Sequence, residues 1–361
     1  MVTISLCMIV KNEEEVIGRC LASVKDIVDE INIVDTGSED KTKDIVKEYT
    51  DRIFDFEWIE DFAAARNYSF QQATSDYILW LDADDIFTDE NREKLKVLKE
   101  TLEPSIDAVS MTYNLSHDAD GNVISSLRRY RLVKKDNDFK WVGSVHEFLA
   151  VSGNLFDCEV AVSHMPLSHD SDRNIRIYEK MLKDDQPFSA RDTFYFANEL
   201  KDHARYEEAI TQYDSFLESK LGWIEDNIRA CFNLADCYTF LEDKEMAFKS
   251  SLRSLQYDVP RPEACCRIGF HFMEQNKNTE AIHWYEKAIL YKDELKLSFQ
   301  NKSFFTWLPH LQLCVLYHRL NQMKKSYEHN EMALKYNPTN QTIINNKKYF
   351  EDNVNLEEKT F

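Results

Sequence analysis

The chain has 361 residues, which is long enough for two domains that each bury a core of their own. Its formal net charge of −20 argues against a nucleic-acid partner and against an anionic membrane surface, because both would repel it. No run of about 18 apolar residues occurs, so no membrane span is predicted.

The eight cysteines stand at scattered spacings, without a CxxC pair and without a histidine at zinc-finger distance. They predict reduced thiols, most of them in the core, and a cytoplasmic protein. No basic region precedes the first predicted strand and no small-residue cleavage site follows it, so no signal peptide is predicted.

Strand-like and helix-like segments alternate from the start of the chain to Leu81. The nearly continuous apolar run 4–10 is typical of a strand that is covered on both faces in a parallel sheet. The other predicted elements are strands at 31–34, 53–54 and 77–81 and helices at 16–24, 38–49 and 63–73, with Ser38 as an N-cap. This alternation predicts a doubly wound α/β sheet, whose ligands bind beyond the carboxyl ends of its strands.

Polar residues follow three of these strands and are expected to converge on one crevice. They are Asn12 and Glu13 after the first strand, Asp35 after the second, and the acidic segment of Asp82, Ala83, Asp84 and Asp85 after the fourth. Carboxylates at a strand end favour a site for Mg²⁺ or Mn²⁺, since these hard cations take oxygen ligands and share them with phosphates. The alternative is an ordinary acidic cap of the next helix. Neither GxGxxG nor GxxxxGK[ST] is present, which argues against a dinucleotide oxidoreductase and a P-loop NTPase.

Further along, strands follow one another without helices between them. They are predicted at 108–113, 127–133, 141–149 and 160–163, with a turn at Asp120 and Gly121. In the strand 127–133, Arg129 and Arg131 share one face and Arg128 points away, so the three cannot all serve one phosphate pocket. This extension of the sheet is expected to form the acceptor side of the crevice.

From about Arg191 the chain is predicted to be helical, and two patterns recur together. In the first pattern a small residue precedes an aromatic residue or Leu by three positions, at Ala197, Ala235, Gly269 and Cys314. The small residues of the second pattern are Ala209, Ala247, Ala281 and Ser326, and both sets step by 38, 34 and 45 positions. The paired patterns resemble the tetratricopeptide repeat, whose helix pairs stack into a superhelix with a concave binding face. The alternative is a generic helical bundle.

Four sequence blocks in the first half occur in a fixed order: 5–13 (SLCMIVKNE), 33–38 (IVDTGS), 61–67 (DFAAARN) and 80–85 (WLDADD). Together they resemble the inverting family 2 glycosyltransferases of the GT-A fold. With block 141–147 (WVGSVHE) and the repeats, the chain resembles the bacterial subgroup that contains the sublancin-type peptide S-glycosyltransferases. The same N-terminal blocks also occur in lipopolysaccharide-core glucosyltransferases, so the acceptor class stays open.

The resemblance implies two domains of different fold class, the first α/β and the second all-α. A GT-A, Rossmann-like nucleotide-sugar domain is expected over 1–170, a helical connector over 171–190, and a tetratricopeptide-like repeat domain over 191–361.

The resemblance also implies the roles of the residues at the strand ends. Asn12 and Glu13 would line the nucleotide pocket, and Asp35 would contact the nucleobase. Asp82, Ala83 and Asp84 match the DxD motif, in which Mg²⁺ or Mn²⁺ bridges carboxylates and the diphosphate of a UDP-sugar. Arg66 would help to hold that diphosphate, with an ion pair to Asp61 or to a sheet carboxylate as the alternative.

Two further roles are expected in the block 141–147. Glu147 is predicted to be the base that takes the acceptor proton, and His146 to complete the metal shell of Asp82 and Asp84. His164 and His169 are alternatives for the metal. A purely structural role of His146 and Glu147 is the alternative for the pair.

The predicted function is inverting, metal-dependent transfer of a hexose or N-acetylhexosamine from a UDP-sugar to a peptide Cys or Ser held by the repeats. The alternatives are a saccharide or lipid-linked acceptor, a repeat scaffold with a degenerate catalytic domain, and a nucleotidyltransferase. Repeat surfaces often mediate self-association, so a homodimer is also compatible with the sequence.

Overall fold

A computed structural model describes residues 1–117, 123–167, 172–290 and 301–353. The chain folds into two compact units, of which the first spans Met1–Pro187 and the second begins at Phe188. In the described ranges, no helix combines the length and apolar character that crossing a membrane requires. The turn predicted at Asp120 and Gly121 and the candidate ligand His169 lie outside these ranges.

The described part of the first unit contains an eight-stranded mixed sheet and a two-stranded sheet. The strands are β1 (Ile4–Val10), β2 (Glu30–Asp35), β3 (Ile53–Asp55), β4 (Tyr77–Trp80), β5 (Asp85–Ile86), β6 (Ala108–His117), β7 (Val123–Lys134), β8 (Lys140–Val142), β9 (Phe148–Ala150) and β10 (Leu155–His164). The order in the large sheet is β3-β2-β1-β4-β7-β6-β10-β5, and β8 pairs with β9.

The large sheet is parallel on one side and mixed on the other. Strands β3, β2, β1 and β4 are parallel neighbours, so their carboxyl ends lie at one edge. Strand β7 runs antiparallel to both β4 and β6, while β10 is parallel to β6 and antiparallel to β5. Strand β7 pairs with β4 through residues 132–134, so its earlier residues, together with β6, extend past the carboxyl end of β4.

Helices cover both faces of the parallel strands. They are α1 (Ile17–Val24), α2 (Thr42–Val46), α3 (Phe62–Gln71) and α4 (Asp89–Thr101); a fifth helix, α5 (Arg173–Lys183), follows the last strand of the unit. Along β1, Leu6 and Met8 belong to one buried cluster, whereas Cys7 belongs to another with residues of α3. Burial on both faces explains why this strand is a continuous apolar run.

One helix start differs from the prediction. Ser38 does not cap α2, which begins at Thr42; its hydroxyl instead accepts a hydrogen bond from the backbone N–H of Asn12 at 3.0 Å. The carboxylate of Asp40 accepts the backbone N–H of Thr42 at 2.9 Å. Ser38 thus joins the loops after β1 and β2, which brings two predicted site segments together.

The second unit consists of antiparallel helix pairs in its described part. They are α6 (Ala190–Asp202) with α7 (Tyr206–Ser219), α8 (Ile224–Phe240) with α9 (Lys244–Arg253), α10 (Pro262–Glu274) with α11 (Asn278–Ile289), and α12 (Trp307–Arg319) with α13 (Met323–Tyr336), followed by α14 (Gln341–Asn353). The small residues of the first sequence pattern all lie on the first helix of a pair and are buried. The predicted fold class, α/β followed by all-α repeats, is confirmed.

Two helical glycines provide a stability test of the packing. A Cβ at Gly269 of α10 would lie 3.0 Å from a ring carbon of the buried Tyr285, whereas one at Gly18 of α1 would lie 3.5 Å from Ile45. We expect Gly269→Ala to lower the free energy of unfolding by about 1 kcal/mol or more, because the buried Tyr285 ring would have to shift to make room for the new methyl group. Gly18→Ala is expected to raise it by about 0.5–1 kcal/mol through the better helix propensity of Ala.

Denaturant unfolding followed by circular dichroism measures both effects. A Gly269→Ala protein that gains stability as Gly18→Ala does would contradict the close helix contact.

Candidate active site

Asp35 lies at the carboxyl end of the parallel strand β2. It ends β2, pairs in register with Val10 of β1, and is 1% exposed. Its Oδ2 accepts the backbone N–H groups of Gly37 at 3.1 Å and Ser38 at 3.0 Å, and Lys43 lies 3.4 Å away. Burial alone would raise the pKa of Asp35, but these donors and the lysine charge outweigh it and lower the pKa. Its Oδ1 has no hydrogen-bond donor among the described residues.

The segment after β1 is tied to the segment after β2. Asn12 has a left-handed backbone (φ 56), and its Oδ1 accepts the N–H of Glu39 at 2.8 Å. The N–H of Glu13 donates to Thr42 Oγ1 at 2.7 Å. Burial and the nearby charge of Asp84 raise the pKa of the Glu13 carboxyl to about 7. Glu13 therefore lies within electrostatic range of the acidic segment, as the sequence predicts.

The carboxylates of the acidic segment differ in their partners, and two of them pair with arginines. Asp82 Oδ1 accepts from Arg66 at 2.7 Å, and its Oδ2 lies 4.0 Å from Arg131. Burial opposes the ionised form, but Arg66 and Arg131 hold the pKa of Asp82 far below its usual range. Asp85 is fully buried and accepts both the backbone N–H of Asp82 and Arg131 at 2.9 Å. Ala83 is buried in the core of the unit.

Asp84 faces a second group of ligand atoms. Asp84, Asp85 and His164 each offer one ligand atom, and these atoms lie within 4.8 Å of one another. His164 Nδ1 is 3.3 Å from Asp84 and 3.0 Å from the hydroxyl of Tyr113. The antiparallel pairing of β10 with β5 sets His164 opposite Asp85. Two carboxylates and an imidazole suit Mn²⁺, and the oxygen ligands also suit Mg²⁺.

The predicted metal set was Asp82, Asp84 and His146, and the structure brings together a different set. His146 has a left-handed backbone (φ 50), and its ring stacks on Tyr178 of α5 with centroids 6.5 Å apart. In the described part of the chain, His146 and Asp82 belong to no group of three potential metal ligands. The described residues thus place His164, one of the predicted alternatives, beside Asp84.

The protonation of His164 leads to a stability prediction for the metal-free protein. Burial disfavours the charged ring, but the hydrogen bonds and charges of Asp84 and Asp85 outweigh burial and raise the pKa of His164 to about 9. This value lies above the unfolded pKa of about 6.5, so the imidazolium stabilises the fold fully below about pH 6.5. That stabilisation is lost as the pH rises through the folded pKa.

We therefore expect the melting temperature in EDTA to fall from neutral pH toward pH ~9, and to fall less in His164→Gln. Differential scanning fluorimetry over a pH series measures the difference. Equal pH slopes for the two proteins would contradict the assigned interaction.

Arg66 links the acidic segment to Glu147. Asp61 caps α3 by accepting the N–H of Ala64 at 2.9 Å, which places Arg66 in the second turn of the helix. Arg66 is 9% exposed and donates to Glu147 Oε1 at 2.6 Å and to Asp82 Oδ1 at 2.7 Å. The predicted alternatives were an ion pair with Asp61 or with a sheet carboxylate; Arg66 pairs with Asp82, which follows β4, and with Glu147.

Aromatic rings hold the arginines in place. The guanidinium of Arg66 lies 5.1 Å from the ring centroid of Trp80 and 4.8 Å from that of Trp141. Arg131 is fully buried, 3.7 Å from the Trp80 centroid and 4.3 Å from that of Tyr113. Such contacts stabilise guanidinium groups in partly desolvated sites. No sequence pattern indicates Tyr113 as a residue of this site, because its position follows from strand pairing within the sheet.

The three arginines of β7 divide as the strand alternation predicts. Arg129 and Arg131 both lie over the Tyr113 ring. Arg128 instead donates to the backbone carbonyl oxygens of Ser110 at 2.7 Å and Cys158 at 2.8 Å.

Comparisons with known proteins match both units. The model of glycosyl transferase family 2 matches residues 5–151, and a tetratricopeptide repeat model matches residues 228–258 and 262–294. The SPbeta prophage-derived glycosyltransferase SunS of Bacillus subtilis is 33% identical over 222 residues, which cover 58% of this chain and 51% of SunS. A TPR repeat-containing protein of Synechococcus elongatus is 52% identical over 85 residues, which cover 24% of this chain and 21% of that protein.

A shorter match covers the N-terminal blocks. An uncharacterized glycosyltransferase of Rickettsia typhi is 31% identical over 95 residues, which cover 26% of this chain and 32% of that protein. The chain spans about half the length of SunS and less of the other two relatives. These matches confirm the predicted resemblance: a domain similar to family 2 glycosyltransferases is followed along the chain by segments similar to tetratricopeptide repeats.

Proposed function

We propose that this protein transfers a hexose or N-acetylhexosamine from a UDP-sugar to an acceptor, with inversion at the anomeric carbon, and requires Mg²⁺ or Mn²⁺. The observation that carries the proposal is the group of Asp84, Asp85 and His164 at the carboxyl edge of the family 2 domain. Asp84 is the more accessible carboxylate, with 18% of its side chain exposed. A cation bound there would neutralise the diphosphate of the donor and the charge that develops on the leaving UDP.

Residues at the carboxyl ends of β1 and β2 support the proposal that the bound nucleotide contains uridine. Asp35 Oδ1 is a hydrogen-bond acceptor without a described partner, which suits the imide N–H of uracil. Lys43 and the two backbone N–H groups keep this carboxylate ionised. Asn12 and Glu13 belong to the neighbouring loop and would line the same pocket.

Glu147 is the proposed base. It would take the proton of the attacking thiol or hydroxyl while the sulfur or oxygen bonds to the anomeric carbon from the side opposite the diphosphate. Arg66 supports this assignment, since one guanidinium hydrogen-bonds both Glu147 and Asp82 and so fixes the base relative to the acidic segment. Arg66 acts here as a positioning residue, instead of the diphosphate ligand that the resemblance implies.

The acceptor is proposed to be a peptide Cys or Ser. Two observations support it: the similarity to SunS over 58% of the chain, and the tetratricopeptide repeats, which commonly bind peptide segments. The net charge of −20 suits a basic precursor peptide. The eight free, buried cysteines fit a reducing compartment, and we infer a cytoplasmic site of action.

The proposal is tested by incubating the full chain with Mn²⁺ and a panel of UDP-sugars, and measuring UDP. Slow UDP release without an acceptor is expected, and it should accelerate with peptides encoded by neighbouring genes, whose intact mass should increase by one sugar. Transfer only to saccharides or lipid-linked sugars would correct the acceptor class. Pyrophosphate as the product, or no binding of UDP with any metal, would contradict the proposal.

A further inference from the structure

Arg129 is connected to the proposed metal site through the ring of Tyr113, and the register of β7 brings it to the carboxyl end of β4. This strand runs antiparallel to β4, with Leu132 opposite Leu79, so the residues before Leu132 continue past the carboxyl end of β4. Arg129 therefore comes alongside the acidic segment. Its guanidinium lies 5.6 Å from the Tyr113 ring centroid, and the Tyr113 hydroxyl is 3.0 Å from His164 Nδ1.

Arg129 differs from its neighbouring arginines in its contacts within the described part of the chain. Arg66 and Arg131 each lie within 3 Å of a carboxylate oxygen, and Arg128 binds two backbone carbonyls. For Arg129, no hydrogen bond or carboxylate at ion-pair distance is found within residues 1–117, 123–167, 172–290 and 301–353. Its side chain is nevertheless partly buried.

The surroundings also disfavour the charged form of the Arg129 guanidinium. Burial and the like charge of Arg131 lower the pKa of Arg129, with Arg66 adding to the effect and Asp82 opposing it. A cation kept partly buried among other cations needs an anion to offset the cost. Such unfavourable charge arrangements are typical of binding sites, where stability is given up for function.

We propose that Arg129 binds phosphate oxygens of the nucleotide sugar at the Asp84 site; this inference rests on the proposed function. The planar guanidinium can donate two parallel hydrogen bonds to a phosphate, which an ammonium cannot. In the transfer, the bond between the anomeric carbon and the phosphate oxygen breaks, and its electron pair stays on that oxygen. Arg129 stabilises this charge, while the new bond to the acceptor forms and the acceptor proton moves to Glu147.

The test compares Arg129→Gln with Arg129→Lys and with Arg128→Gln as the matched control. In saturating Mn²⁺, calorimetry should show a UDP dissociation constant about tenfold higher for Arg129→Gln, with a smaller rise for Arg129→Lys. The affinity for uridine, which has no phosphate, should not change. Thermal unfolding of Arg129→Gln without ligand should occur at the wild-type temperature or above, because the variant removes a like-charge contact.

Arg128→Gln should show the opposite pattern, with lower thermal stability and unchanged UDP affinity, since Arg128 binds only groups of the protein. If wild type binds UDP and Arg129→Gln binds it equally well, the inference is wrong while the proposed function stands. A loss of uridine affinity equal to that of UDP would also overturn it, because the effect would not act through the phosphates. If wild type binds no UDP, the proposed function itself fails.

Discussion

An Asp84→Asn variant is expected to lose metal-dependent sugar transfer by about a thousandfold, while its melting temperature falls less than that of Asp82→Asn. Asp84 is the accessible carboxylate of the proposed metal site, and no arginine or lysine of the described chain lies at ion-pair distance from it. The amide removes the anionic ligand and weakens the contact with His164, but its oxygen can still accept a hydrogen bond from the imidazole ring. UDP release under saturating Mn²⁺ and Mn²⁺ affinity by calorimetry measure the loss.

Asp82→Asn is the matched control within the same motif. Asp82 hydrogen-bonds Arg66 and faces Arg131, so its amide should lower the free energy of unfolding by about 1–3 kcal/mol. The two variants thus distinguish a metal ligand, Asp84, from a carboxylate that stabilises the fold by pairing with arginines, Asp82. Asp84→Asn with wild-type activity would contradict the proposed site.

The histidines provide a second comparison at this site. His164→Asn should weaken Mn²⁺ binding by about 10–100-fold. His146→Asn should leave it unchanged, because His146 stacks on Tyr178 and joins no described ligand group. Weaker Mn²⁺ binding in His146→Asn and unchanged binding in His164→Asn would instead support the set predicted from the sequence, with His146 as the metal ligand.

The second large effect is expected for Glu147→Gln. Removing a general base typically lowers kcat by about 10²–10⁴-fold, whereas the KM for the UDP-sugar and the Mn²⁺ affinity should stay the same. The glutamine oxygen can still accept the Arg66 hydrogen bond of 2.6 Å, so the variant changes basicity more than position. Steady-state kinetics with a peptide acceptor measure kcat and KM separately.

Glu60→Gln is the matched control, because Glu60 lies in the same unit and pairs with Lys180 of α5. It should keep the wild-type kcat. A Glu147→Gln enzyme that also retains kcat would exclude Glu147 as the base, and a rise confined to KM would indicate a binding role.

The sequence predicted the parts of the site that depend on local pattern. Strand ends follow from apolar runs, and the carboxyl ends of parallel strands share one edge, so Asp35 and the acidic segment could be located without a structure. The resemblance of the four sequence blocks to family 2 glycosyltransferases then predicted that these segments form one nucleotide-sugar site. The helix pairs likewise followed from small residues repeated at common steps.

The remaining features depend on contacts between distant segments. His164 meets Asp84 because β10 pairs with β5, and such pairing across the sequence leaves no local signal. The difference between Asp82 and Asp84 arises from Arg66 and Arg131, which reach Asp82 from a helix and from an antiparallel strand. The prediction that His146 is a ligand relied on the chemistry of the imidazole ring, which His164 shares, and the sequence does not indicate which ring lies beside Asp84.

The most direct test of the proposed site is the position of manganese in crystals of the full chain grown or soaked with Mn²⁺ and UDP. Anomalous scattering should show the ion within coordination distance of Asp84 and His164, with the diphosphate of UDP bound to it. Manganese and UDP bound away from both residues would contradict the account.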